Sequence, residues 1–225
     1  MKKLFVLSLF AMALSLSATA QKVEGNPDKL TAKEKKAVEE IRQRYSDVKK
    51  MIELMGEGPD WQDRAVDADS PGGWPPEYFH VKVVQNLPAT GYHEENVKMF
   101  FEEEEGAEDV IYPPLRLAFA SSKYNFAARE YYEEFLYDKR GNLIFIFAQE
   151  PDLEKGVIVK YRFYIKDSKV IWTIVKDCSF EDGSETEVYA SSALIQEYRK
   201  SLDYYADYSN RIRTLFDAID KAKKL

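Results

Sequence analysis

The chain has 225 residues, 45% of them hydrophobic and 14% aromatic, and a formal net charge of −7. That length suits one domain, or one domain with a helical appendage, able to bury about 70% of its unfolded surface without disulfide or metal staples. The acidic balance leaves no net basic footprint for phosphate, so no nucleic-acid partner is expected.

The first residues read as an address. Lys2 and Lys3 form a positive start, residues 4–16 an apolar run, and Ala18-Thr19-Ala20 a small-x-small cleavage site. The expectation is a cleaved signal peptide over 1–20 and a single mature domain over 21–225. Losing two lysines makes that mature chain more acidic. No Cys follows the cleavage site, so no lipid anchor is expected; the expected destination is the periplasm or the outside of a Gram-negative cell. No later run approaches the ~18 apolar residues needed to span a bilayer, so no transmembrane segment is expected in the mature chain. Cys178 is the single cysteine, so no internal disulfide is available. It is expected to be buried and inert, with a dimerising thiol as the alternative.

A helix is predicted over about 31–56. Thr31 and Glu34 have capping-box spacing, and Val38, Ile41, Tyr45, Val48, Ile52 and Met55 step by three and four along one stripe. Gly56 and Gly58-Pro59 stop it. Residues 57–76 read as a loop holding Trp61 and Trp74, each expected to fold back on the domain or line a site. Asp60, Asp63, Asp67 and Asp69 fail the ligand order of a calcium loop, so no metal is assigned there.

A sheet is predicted over about 77–177. Phe79, Val81 and Val83 alternate with polar neighbours, as do Val97, Met99 and Phe101, and then Leu115, Leu117 and Phe119. Pro113-Pro114 should delay the third of these strands or hold it at an edge. The acidic run at 102–109 reads as a solvated turn. Two hairpins follow, 131–148 and 157–176. The first turns through Asp138 to Asn142, where Gly141 can adopt positive φ. In the second, a turn at Asp167-Ser168 pairs Ile165 with Val170, Phe163 with Trp172 and Tyr161 with Ile174. The strand 143–148 is apolar on both faces, which calls for cover on both sides. Residues 180–192 read as a polar loop, with Ser191 or Ser192 capping a last helix over about 191–223. Its stripe is Ile195, Tyr198, Leu202, Tyr205, Ser209, Ile212, Phe216 and Ile219. The fold class is therefore α+β: an antiparallel, mostly meander sheet of about six to eight strands flanked by long amino- and carboxy-terminal helices.

Catalytic chemistry is thin. His80 and His93 fall short of a zinc set, no nucleophile elbow or glycine-rich phosphate loop occurs, and no cofactor is expected. Glu133 and Glu134 are neighbours in a strand, so they point to opposite faces. A carboxylate enclosed there has a raised pKa unless it is paired, with Arg162, Arg116 or Arg129 as candidate partners. A binding face is the better-supported idea. Tyr132, Glu134, Arg116, Arg162 and Tyr164, with Lys160, can share one sheet face as an aromatic platform with a polar rim. The same residues equally suit an amphipathic face on which a helix rests.

Tyr131-Tyr132, Tyr137-Asp138, Gly141-Asn142-Leu143-Ile144 and the string from Arg162 to Asp167 resemble exported bacterial proteins of unknown function that carry aromatic/Asp-Gly β-hairpins. The resemblance covers about fifty residues and implies strands and export, with no activity and no site residues. The functional expectation is an exported, non-catalytic binding or interaction protein. Its partner is an unidentified protein, glycan or apolar ligand, and a homodimer through a helix or sheet face stays open. The alternatives are a carrier of an apolar or lipid-like ligand in a sheet–helix pocket, and a hydrolase using an enclosed Glu.

Overall fold

The stretches that alternate with a period of two, and the polar stretch 185–191 after them, join one sheet. In the computed structural model the described residues are 23–24, 30–55, 77–103, 113–192 and 196–223. The elements are β1 (Val23–Glu24), α1 (Ala32–Met55), β2 (Glu77–Leu87), β3 (Gly91–Glu103), β4 (Leu115–Phe126), β5 (Arg129–Tyr137), β6 (Leu143–Asp152), β7 (Val157–Lys166), β8 (Lys169–Ser179), β9 (Glu185–Ser191) and α2 (Gln196–Lys223). Strands β2 to β9 form an antiparallel meander, and β1 adds in parallel beside β9. The expected α+β class is what the chain forms. The leader, the loop with its two tryptophans and the four aspartates lie outside the described residues.

The two helices lie on opposite faces of the sheet, which answers the demand of β6 for cover on both sides. Under α1, Val38, Ile41 and Val48 pack on Phe100, Phe119, Leu136, Phe145, Tyr164 and Trp172. Under α2, Tyr205, Ile212 and Phe216 pack on Met99, Phe101, Phe135, Tyr137, Ile146 and Phe163. Burial of each such side chain contributes about 1.5–3 kcal/mol, so each helix is held by its stripe. Helix α1 opens with the expected capping box: the Thr31 amide donates to Glu34 Oε2 at 2.8 Å, and the Glu34 amide donates back to Thr31 Oγ1 at 3.3 Å.

Three expectations are corrected. Residues 180–192 are not all loop, because 185–191 form β9 on the far side of β8. Their polar composition hid the strand. Ser191 is therefore the buried end of a strand and not a helix cap. In the second hairpin Ile165 does pair with Val170, but a bulge between Tyr164 and Ile165 shifts the rest by one. Tyr164 meets Trp172, Phe163 meets Thr173 and Tyr161 meets Val175. A β-bulge opposes two residues to one, and Ile171 is the extra residue. The shift puts Trp172 with Tyr164 under α1. Pro113-Pro114 acts as expected on timing: β4 starts at Leu115, though it lies between β3 and β5 and is not an edge. Cys178 is buried in β8.

Candidate functional site

The sheet register lines up two transverse rows on the α2 face. The inner row runs Val97, Ser122, Glu133, Ala148, Tyr161, Val175. The outer row begins with Glu95, Tyr124 and Tyr131 and continues with Glu150, Val159 and Asp177. Glu95, Glu133 and Glu150 each stand two residues from an apolar core position of the same strand: Val97, Phe135 and Ala148. A period of two forces all three carboxyls onto the buried face.

Helix α2 crosses above them and supplies phenols. Tyr208 donates to Glu95 and shares a 2.9 Å hydrogen bond with Ser122. Tyr205 donates to Glu150 Oε2 at 2.9 Å, while Tyr161 from β7 donates to Glu150 Oε1 at 2.7 Å. Tyr124 donates to Glu133 Oε1 at 3.1 Å. Its ring stacks on Tyr131, with centroids 4.9 Å apart and planes 5° from parallel. Tyr204, half exposed on α2, closes the upper side with its hydroxyl 3.5 Å from that of Tyr124.

Glu133 is the anomaly. It is 1% exposed, its Oε2 has no hydrogen-bond partner, and no cation among the described residues lies within ion-pair distance of it. Burial pushes its carboxyl up to about 8; the Tyr124 hydroxyl opposes that shift, and the charges of Glu95 and Glu150 add to it. Burial and the same carboxylates push the phenols of Tyr124, Tyr205 and Tyr208 up as well. The group is thus a set of neutral hydroxyl donors around carboxyls, with Glu133 held as a neutral acid at pH 7. At the Glu150 end it meets an open groove of about 410 Å³, lined by Glu150 and Tyr161 together with Arg129, Asp152, Lys155 and Tyr198.

The residues singled out from sequence are brought to the opposite face, beneath α1. Glu134, also 1% exposed, is fully engaged. Lys49 Nζ is 2.7 Å from Oε1, Tyr132 donates to the same oxygen at 2.6 Å, and Tyr45 donates to Oε2. Its partner is thus a lysine of α1 and none of the three arginines expected. Arg116 pairs with Glu102 at 2.8 Å. Arg162 lies over the Phe147 ring at 5.0 Å. The Tyr164 hydroxyl takes a bond from Arg42 Nε at 3.2 Å. The five share a face, as alternation required, and each has a partner within the fold. Glu95, Tyr124, Tyr131 and Glu150 were missed. For the two glutamates the signal was present, as acidic residues in the apolar phase of a strand.

His80 bonds the Asn96 side chain at 3.1 Å and His93 the Asn125 carbonyl at 2.6 Å. Among the described residues no group of three or more His, Cys, Asp or Glu is arranged to hold a metal ion, and no helix is long and apolar enough to cross a membrane. No family model matches the chain, and neither a curated protein nor a solved structure matches it.

Proposed function

We propose that this chain is an exported, non-catalytic binding protein whose recognition site is the groove and tyrosine–carboxylate cluster at the Glu150 end of the α2 face. One observation carries the reading: Glu133 is enclosed with an orphaned oxygen, and no cation among the described residues lies within ion-pair distance of it. An unsatisfied buried polar atom costs about 1–3 kcal/mol, and folds retain such groups chiefly where they serve a function. The rest of that face is packed by α2, so the open end is where a partner has access. Charged and phenolic walls suit a polar ligand, and a groove of about 410 Å³ has the size of small-molecule sites. Export rests on the leader, and amino-terminal sequencing of protein recovered from an expressing Gram-negative host should begin at Gln21.

A thermal-shift screen with sugars, amino acids, amines and short peptides tests the site. Binding to the folded state alone raises stability by about 2.7 kcal/mol at a hundredfold excess over Kd. The expected result is a hit that stabilises the wild type and loses its effect with Tyr131→Ala. Absence of a hit in every class would overturn the reading.

A second reading is favoured by Glu133 alone. A carboxylic acid still protonated at neutral pH is what general-acid hydrolysis requires, with Glu150 or Glu95 as the second carboxylate. Turnover of chromogenic glycosides or esters that disappears with Glu133→Gln would put this reading first.

A further inference from the structure

We propose that the outer edge of β2 is an interaction surface for a second copy of this chain, pairing antiparallel about a two-fold axis at Val81 so that two sheets join into one.

An edge strand presents a row of backbone N–H and C=O groups without a ladder partner, and folded proteins blunt such edges with short strands, prolines, bulges or charges. The two edges of this sheet differ in these devices. At one edge, β9 has seven residues, its ladder with β8 is shifted between Asp177 and Cys178, and β1 already bonds to its outer side. At the other, β2 has eleven residues and no proline, and it pairs with β3 from Glu77 to Leu87 without a shift. Among the described residues nothing pairs with its outer side. Its one lysine, Lys82, is drawn back to Glu94 of β3 at 3.0 Å. Such an edge is a template for strand addition.

The side chains of β2 say which strand it fits. Phe79 and Val81 pack on the α2 face, so Tyr78 and Val84 lie on the α1 face, where they are 38% and 54% exposed. Directly opposed residues of an antiparallel pair share a face, so a two-fold axis must fall at a residue and not between two. An axis at Val81 opposes Tyr78 to Val84, Phe79 to Val83, and Val81 to its own copy. All five apolar residues between Glu77 and Gln85 then meet apolar partners. An axis at His80 instead sets Tyr78 against Lys82 and Glu77 against Val83. An axis at Lys82 sets the two lysines against each other. The strand is thus self-complementary in one register, which is what an isologous interface requires, and aromatic and β-branched cross-strand pairs are among those that stabilise a ladder.

The arrangement closes at two copies. A head-to-tail stack needs β2 to enter the β9 edge, where β1 stands. The groove at the Glu150 end centres on β6, β7 and β8, several strands away from β2, so it stays open in both copies, and the dimer surface is independent of what that groove binds.

Sedimentation equilibrium of the full chain over a range of concentrations is the test. The wild type should reach twice the mass of one chain. Tyr78→Lys together with Val84→Lys sets like charges directly opposite each other at two places in the ladder, and should weaken dimerisation about ten-fold or more. Tyr78→Lys together with Val84→Glu sets opposite charges at the same places and should restore most of the affinity. Both positions are exposed, so circular dichroism and thermal unfolding of the monomer should be alike in the two variants. Loss in the first and recovery in the second reads the register, because a folding defect does not depend on the sign of the charge at position 84. A monomer at every concentration, a dimer that both variants leave intact, or equal loss in both overturns the proposal. Growth into open-ended assemblies overturns it in favour of head-to-tail stacking, and hydrogen-exchange protection of the β2 edge in a monomer overturns it in favour of cover by the chain itself.

Discussion

Two neighbouring glutamates, equally buried, end in opposite circumstances. Glu134 faces α1 and is met by Lys49, Tyr45 and Tyr132. Glu133 faces α2 and is met by one phenol, with an oxygen left over. The pleat separates them to two faces, and the helix laid on each face decides what the carboxyl finds. Helix α1 delivers an ammonium; α2, at the corresponding place, delivers tyrosines. Burying a charge is tolerated when it is paired and costly when it is not. The α1 face is therefore a closed structural device, and the α2 face keeps an unbalanced one beside a groove.

The widest separation between the two is expected in the pH dependence of stability. Glu133 titrates at about 8 in the folded chain, against an ordinary value of 4.5. Between those values the folded state holds a proton that the unfolded chain has released. Its contribution is thus fully present below about pH 4.5, is lost as pH rises toward 8, and changes no further above that. One proton gives a slope of up to about 1.4 kcal/mol per pH unit. Urea unfolding at pH 5, 7 and 9 should show this decline in the wild type and a shallower one in Glu133→Gln, which gains relative stability at pH 9. Parallel curves would mean that water reaches Glu133.

Next in size is the closed pair. Lys49→Met leaves Glu134 enclosed with two phenols and no cation. Removing one partner of a buried pair costs about 3–5 kcal/mol; because the Lys49 side chain is 31% exposed, the expected loss is about 2–3 kcal/mol in urea midpoints at pH 7. Arg211→Met is the matched change on the other face. Arg211 acts on Glu133 only at a distance and is paired with Asp207 at 3.2 Å, so its loss should be within about 0.5 kcal/mol, as for a surface pair. A large effect from Arg211 would erase the contrast.

Much of this was legible in the residues. The two helices were readable from stripes and from the Thr31–Glu34 cap, and the strands from alternation. The opposite facing of Glu133 and Glu134 followed from the pleat alone. What was not legible came from long-range choices. No local signal says that Lys49 will land on Glu134, 85 positions away. Nor could alternation reveal the bulge that turns Trp172 toward Tyr164, or show that the polar stretch 185–191 would find an edge to pair with. The candidate face read from sequence was drawn from aromatic and basic residues, which the fold places beneath α1, and carboxylates standing in apolar phase were passed over.

The smallest effect tests the comparison most directly. Tyr124→Phe removes the one donor to Glu133, and Tyr132→Phe removes one of three to Glu134. A hydrogen bond to an uncharged group contributes about 0.5–1.5 kcal/mol and one to a charged group about 1.5–3. At pH 6, Glu133 is a neutral acid, so Tyr124→Phe should cost no more than about 1 kcal/mol. Above pH 8 the carboxyl is charged and the same hydroxyl matters more. A double-mutant cycle between Tyr124→Phe and Glu133→Gln should therefore return a coupling that grows from pH 6 to pH 9. The phenols themselves titrate well above this range, because burial and the carboxylates push them up, so the change belongs to Glu133. A coupling that stays constant with pH would show that Glu133 does not change its protonation between pH 6 and pH 9, and the raised value that sets this face apart would be overturned.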